Sequence, residues 1–296
     1  MSGLPKPSDI LTTLIAGLGT GCLYALFVLG IILMFRVSKQ VSFAYGQTGM
    51  IAALGSWFLY EQRVLPVWMA LVAGLGAAIV ISGATEMFVI RRASRIRPSF
   101  DLIVTLGMFL VLTAAAEQVF GSESHAYVPL LADRGWNAPG AYLNMSDPLV
   151  AVMSGSIIVI AYLAIKRTGL GVSIRACAED PAIAQSFGVN VGLVRTGVWM
   201  LGGLIAGLVS ILFASRLFVD TSFMLPILIN GFVAAMVGGL ERFWAPVLVA
   251  VLLGAYESLV GLFFGSTASV PAIFVVLIVV LTAAPSRWIA DEQVRP

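Results

Sequence analysis

The chain is a succession of apolar stretches, each close to the thickness of a lipid bilayer. A helix needs roughly 20 mostly apolar residues to cross the hydrocarbon core. Residues 10–35, 43–60, 65–90, 102–120, 148–165, 196–215, 223–240, 245–264 and 269–285 approach or meet that requirement. Lipid offers no hydrogen-bond partner to a bare backbone, so stretches of this kind fold as helices. The expectation is an all-α integral membrane protein, one transmembrane domain over 1–296, with about nine spans (eight to ten). Two stretches are weaker. Pro226, Asn230 and Gly231 interrupt 223–240, which reads as broken or re-entrant, and 269–285 is short and carries Pro271.

Composition agrees. The 296 residues are 59% hydrophobic and 11% charged, with a mean hydropathy of +1.00, where a soluble domain carries ~25% charged residues. The 30 glycines suit membrane helices that approach closely. A net charge of +2 leaves no basic footprint for nucleic acid. Cys22 and Cys177 are too few for a zinc site, and the topology below sets them at different depths or sides, which argues against a disulfide. The apolar stretch after Lys6 and Asp9 is too long for a cleaved signal peptide and reads as a retained first span.

Orientation follows from the basic residues of the short loops, which favour the cytoplasm. With nine spans, Lys6, Arg63, Arg134 and Arg216 fall on one side. All the other Lys and Arg residues among the 17 fall on the opposite side, the run Arg91-Arg92-Arg95-Arg97 included. The N-terminus is therefore expected outside and the C-terminus in the cytoplasm, with the Arg91–Arg97 run as a topology anchor. Trp57, Tyr60, Trp68, Trp244 and Trp288 flank span ends, as interfacial rings do. An external loop is expected at 121–147 and a cytoplasmic loop at 166–195.

The cytoplasmic loop carries the sharpest local signal. Asp180 followed by Pro181 is a helix start, an acceptor at the N-cap and a proline at the first helical position. Gly188 is a stop. The helix between them places Ile183 and Phe187 on one face, four residues apart. Spacing alone leaves two readings open, a helix lying on the membrane surface or a docking element for a partner.

The loop Gly171-x-x-x-Arg175-Ala176, Asp180-Pro181-x-x-Ala184, Gly188-Val189-Asn190 resembles the cytoplasmic loop of branched-chain amino-acid ABC importer permeases. Other segments match the same family in order. They are Ser42-Phe43-Ala44-Tyr45-Gly46-Gln47 with Met50 and Gly55, Leu106-Gly107, Phe120-Gly121-Ser122, Gly231-Phe232, Val237-Gly238-Gly239-Leu240, Pro246, Gly254, Glu257 and Pro285-Ser286. The chain departs from the family at Ser42, where Asn is usual, and at Tyr45 and Gln47, where His and an acid are common. It departs again at Asn230, where Lys is common, and at Arg287-Trp288.

The resemblance implies a permease subunit of a bacterial inner-membrane importer that moves a small polar solute by alternating access. That solute would be a branched-chain or related amino acid, with urea or an amide as the other family cargo. It implies a second homologous permease, two cytoplasmic ATPases that use ATP-Mg, and an extracytoplasmic solute-binding protein. The ATPase-coupling residues would be Arg175, Glu179, Asp180, Pro181, Ile183, Ala184, Phe187 and Gly188.

Ionisable residues at membrane depth are costly and are candidates by default. Glu86 lies about a turn from Arg91, Glu117 near an outer span end, and Glu257 deepest. Ser42, Tyr45, Gln47, Thr48, Asn230 and Glu257 are the candidate pathway residues, with helix packing as the alternative for each.

The chain has no Gly-x-x-x-x-Gly-Lys-Ser/Thr phosphate loop. It is therefore read as no enzyme, without a cofactor or metal of its own. Its single histidine, His125, falls in the external loop, which excludes a buried Ser–His dyad and a His-Glu-x-x-His site. An ion-coupled secondary transporter or channel is the alternative. It would need coupling acids at the midplane, which are scarce, and it leaves the capped helix unexplained.

Overall fold

A computed structural model describes residues 7–96, 101–127, 135–138, 141–144, 146–216 and 218–283. Each of the nine apolar stretches holds a helix. They are α1 (Pro7–Ser38), α2 (Ala44–Glu61), α3 (Val67–Ala84), α5 (Asp101–Phe120), α6 (Ser146–Arg167), α9 (Val191–Ala214), α10 (Leu225–Gly238), α11 (Trp244–Phe264) and α12 (Ser269–Ala283). The first of them, α1, is the axis of the molecule. Its side chains from Leu23 to Leu29 are almost wholly enclosed, and α6, α9, α10 and α11 pack around it. By contrast α5 and α6 turn Ile103, Leu110, Val111, Val152 and Ile160 outward, the apolar exterior that lipid requires.

Close helix approach depends on missing side chains. A Cβ on Gly21 of α1 would stand 2.5 Å from the Val251 carbonyl oxygen, and one on Gly254 of α11 would stand 2.3 Å from the Gly21 Cα. Two glycines facing each other therefore set the α1–α11 separation, as small residues do in membrane bundles.

Six helices among the described residues are long and apolar enough to cross a membrane, namely α1, α3 with its continuation, α5, α6, α9 and α11. The other three predicted spans are shorter or less apolar. α2 has 18 residues and is mostly buried, α10 has 14, and α12 has 15. The interruption expected over 223–240 is absent: α10 runs unbroken through Asn230 and Gly231, and Pro226 falls in its first turn, where a proline costs no helical hydrogen bond.

Four features differ from the sequence expectation. The chain is not purely helical, because β1 (His125–Ala126) pairs with β4 (Phe218–Val219), and β2 (Gly135–Ala138) pairs with β3 (Ala141–Asn144). Ladders of two and four residues are too short to leave a periodic pattern. The loop at 166–195 contains two helices rather than one, α7 (Gly169–Glu179) and α8 (Pro181–Ser186). α9 begins at Val191, which moves Arg195 out of that loop and into a helix. The 65–90 span runs on through a π-helical turn, Thr85–Ile90, into α4 (Arg91–Ile96). Lys6, Arg97, Pro129, Asp133, Arg134, Pro139, Gly140, Pro285, Ser286, Arg287, Trp288 and Arg295 lie outside the described residues.

At the β1–β4 end, His125 stacks on Trp57 with ring centroids 3.8 Å apart, and the Ser56 and Tyr127 hydroxyls are 2.6 Å apart. Burial pushes the Tyr127 hydroxyl up to about 12, while the Ser56 hydrogen bond pulls the other way.

Candidate translocation and coupling sites

Four helices meet at a polar cluster in the apolar core, centred on Glu257 of α11. Tyr24, midway along α1, donates its hydroxyl to Glu257 Oε2 at 2.8 Å. Asn230, on α10, donates Nδ2 to the same oxygen at 3.0 Å. Ser269, at the start of α12, donates to the Glu257 carbonyl at 3.4 Å. Tyr24 and Asn230 are 2% and 3% exposed, whereas Glu257 is half-buried. Of the pathway candidates, Asn230 and Glu257 are thus brought together. Tyr24 is a partner that sequence reading missed, because an aromatic inside a uniformly apolar stretch carries no mark of its neighbour 233 residues away.

The candidates of early α2 sit apart from that cluster. Tyr45 packs against Phe27 with ring centroids 4.5 Å apart and donates to the Phe27 carbonyl at 3.4 Å. Thr48 donates back to the Tyr45 carbonyl at 2.7 Å, a local bond that ties the hydroxyl to its own helix. Ser42 Oγ and Gln47 Oε1 are buried without a hydrogen-bond partner among the described residues.

The loop from α6 to α9 has the predicted caps. Asp180 Oδ1 accepts from the Ala182 and Ile183 amides at 2.7 and 3.0 Å, with Pro181 at the first helical position. Gly188 ends the turn at φ +84°, a conformation that costs glycine nothing. Asn190 then caps α9 through the Leu193 amide at 3.1 Å. Ile183 and Phe187 are 56% and 83% exposed.

The other coupling candidates divide by role. Ala184 is buried and packs inward. The exposed Arg175 side chain donates to the Ile165 carbonyl near the end of α6. Pro181 and Gly188 are exposed shape-setting positions, and Glu179 is exposed at the end of α7. The inner face of α7, Gly171, Ile174 and Cys177, is buried at three-residue spacing, the signal by which the sequence could have disclosed that helix. Cys22 and Cys177 are both free thiols, and burial pushes the Cys177 thiol up.

A second polar cluster joins α8's neighbourhood to α3. Glu86, fully enclosed in the π turn, receives Arg91 Nε at 3.1 Å and Nη2 at 2.7 Å. Arg195 Nε is 3.0 Å away, and the Thr196 hydroxyl donates at 2.7 Å. Arg91 also donates to the Gly192 carbonyl at 2.8 Å. The sequence placed Glu86 about a turn from Arg91 but gave no sign of the arms from α9.

These features define a class, a multi-pass helical membrane protein with a polar cluster packed against its central helix and a capped, apolar-faced helix at one end. The profile of a family described as branched-chain amino acid transport system, permease component, matches residues 13–283. The chain belongs to that family.

Among its relatives, the high-affinity branched-chain amino acid transport system permease protein LivH of Escherichia coli K12 is 26% identical, over 94% of each chain. The Salmonella typhimurium LivH is 25% identical over the same shares. The corresponding protein BraD of Pseudomonas aeruginosa is 25% identical, over 98% of this chain and 99% of that one. The fold resembles a chain in the solved structure of PsaBC from Streptococcus pneumoniae in complex with Fab. The TM-score is 0.53 at 15% identity, over 98% of this chain and 96% of that one.

Proposed function

We propose that this permease is the membrane subunit of an ATP-binding-cassette importer for a branched-chain or related amino acid. It works in the bacterial inner membrane, beside a second homologous permease. Two cytoplasmic ATPases supply the energy from ATP-Mg, and an extracytoplasmic binding protein delivers the solute. The nine segments all span, with the N-terminus outside and α7–α8 in the cytoplasm.

The observation that carries this reading is α8. A six-residue helix has little stability alone, yet this one is fixed by an Asp cap, a first-turn proline and a glycine stop, while two large apolar side chains stay out. Burying such side chains is worth ~1.5–3 kcal/mol each, so a partner surface gains most by covering Ile183 and Phe187. Movement of the partner would reach α9 directly, since only Phe187 to Asn190 separate the two helices.

The test is purification of the chain with its partners in mild detergent. The wild type should bring ATPases and a second permease, and Phe187→Asp should lose the ATPases while retaining the second permease. Isolation of the wild type alone, with solute crossing vesicles under an ion gradient and no ATP, would refute the importer and favour an ion-coupled transporter.

A further inference from the structure

We infer that the Glu257 carboxylate recognises the ammonium group of the transported solute, with Tyr24 and Asn230 as the residues that position it. The inference rests on the amino-acid importer reading above and names the atom that meets the cargo.

The carboxylate is used asymmetrically. Oε2 accepts both the Tyr24 hydroxyl and the Asn230 amide, so the group is oriented before any ligand arrives. Oε1 takes no hydrogen bond or ion pair from any described residue. Nor is it among the enclosed, unpartnered atoms. It therefore faces open space. An anion at membrane depth with one oxygen unsatisfied is expensive and needs a cation or a strong donor.

The described residues do not supply that cation. Arg36 is the only basic residue of α1, two residues from its end, and α10, α11 and α12 carry none. Lys166 and Arg167 close α6, and Arg195 sits in the first turns of α9, bound to Glu86. Tyr24 is halfway along a 32-residue helix, so a second copy of this chain has no basic side chain at that level either. A primary ammonium, compact and with donors only, fits the open Oε1 while Tyr24 and Asn230 hold Oε2 in place. An amino acid carries such a group, and urea does not.

The experiment uses the complete importer in vesicles with one binding protein throughout. ATP-driven uptake of leucine is compared with that of 2-hydroxy-4-methylpentanoate, which keeps the carboxylate and side chain but replaces the amine by a hydroxyl. The wild type should prefer leucine. In Glu257→Gln that preference should fall at least about tenfold, the scale of one charge-assisted hydrogen bond. Tyr24→Phe, which leaves the carboxylate unoriented, should fall less.

An unchanged preference in Glu257→Gln overturns the inference and leaves the importer standing. So does loss of the second permease from that variant with the preference intact, because the open oxygen would then belong to a subunit contact. If Glu257→Gln fails to assemble, Tyr24→Phe decides, and a wild-type preference there overturns the inference. Wild-type complex that carries no leucine with ATP overturns both readings.

Discussion

Glu86 is held by three side chains at once, those of Arg91, Arg195 and Thr196. It is fully enclosed, while the arginines it holds keep 26% and 17% of their side-chain surface. Removing one partner of a buried ionic group costs about 3–5 kcal/mol, because the charges left behind lose their compensation. Glu86→Ala strands two guanidinium groups and the Thr196 hydroxyl at once. We expect it to lower unfolding stability in detergent by about that amount, read from a denaturant titration, with Thr196→Val losing only ~1 kcal/mol. The two polar clusters show how far residue-level reading reaches. Asp180–Pro181 was legible because its bonds close within three residues. The Glu86–Arg91 pair was visible only as closeness in sequence, since the π turn that aims one at the other leaves no spacing signal. Tyr24–Glu257 and Glu86–Arg195 were not legible, because each depends on helix packing that no local spacing encodes.

At the scale of the element, glycine placement decides which helices can touch. Gly21→Ala puts a methyl within 2.5 Å of a backbone carbonyl, and backbone cannot swing aside as a long side chain can. Overpacking of this kind costs ~1–3 kcal/mol. Gly55, on α2, has nothing within 4 Å of its absent Cβ. There the same change gains helix propensity, worth about 1 kcal/mol. Thermal unfolding should thus move in opposite directions for Gly21→Ala and Gly55→Ala, and equal shifts would refute the close α1–α11 contact. Helix positions were readable from apolar length, since each of the nine stretches contains one. The β1–β4 and β2–β3 ladders were not, since two to four residues give alternation no room to register. α7 was missed because only its buried stripe is regular, and two glycines within its first turn masked it.

For the whole molecule, the orientation proposed from basic-residue bias has a direct check. In a chain with Cys22→Ala and Cys177→Ala, Gln62→Cys should react with a membrane-impermeant maleimide on intact cells. Glu179→Cys should react only after the membrane is opened. Both positions are exposed, so accessibility does not confound the comparison, and the reverse pattern would invert the topology. Basic residues give an expected sidedness because short loops rich in them stay on the cytoplasmic side. The central position of α1 could not be read that way. Its apolar content resembles that of α5 and α6, yet 78% of its span is buried against 17% for each of theirs. Hydropathy measures what a helix is made of, whereas burial depends on how many neighbours the fold assigns to it.

The π turn at Thr85–Ile90 has a geometric meaning for the path between α3 and α9. Its wider ring holds one residue more than an α-helical turn would. Each added residue rotates everything downstream by ~100° about the axis. The half of the helix before the turn aims its small residues, Ala70, Gly74 and Ala78, into the bundle. The half after it is out of phase, and that offset aims Arg91 back at Glu86 and at the first turn of α9. A single rod thereby presents two differently aimed surfaces, a packing face along most of its length and an ionic hook where the chain returns from α8.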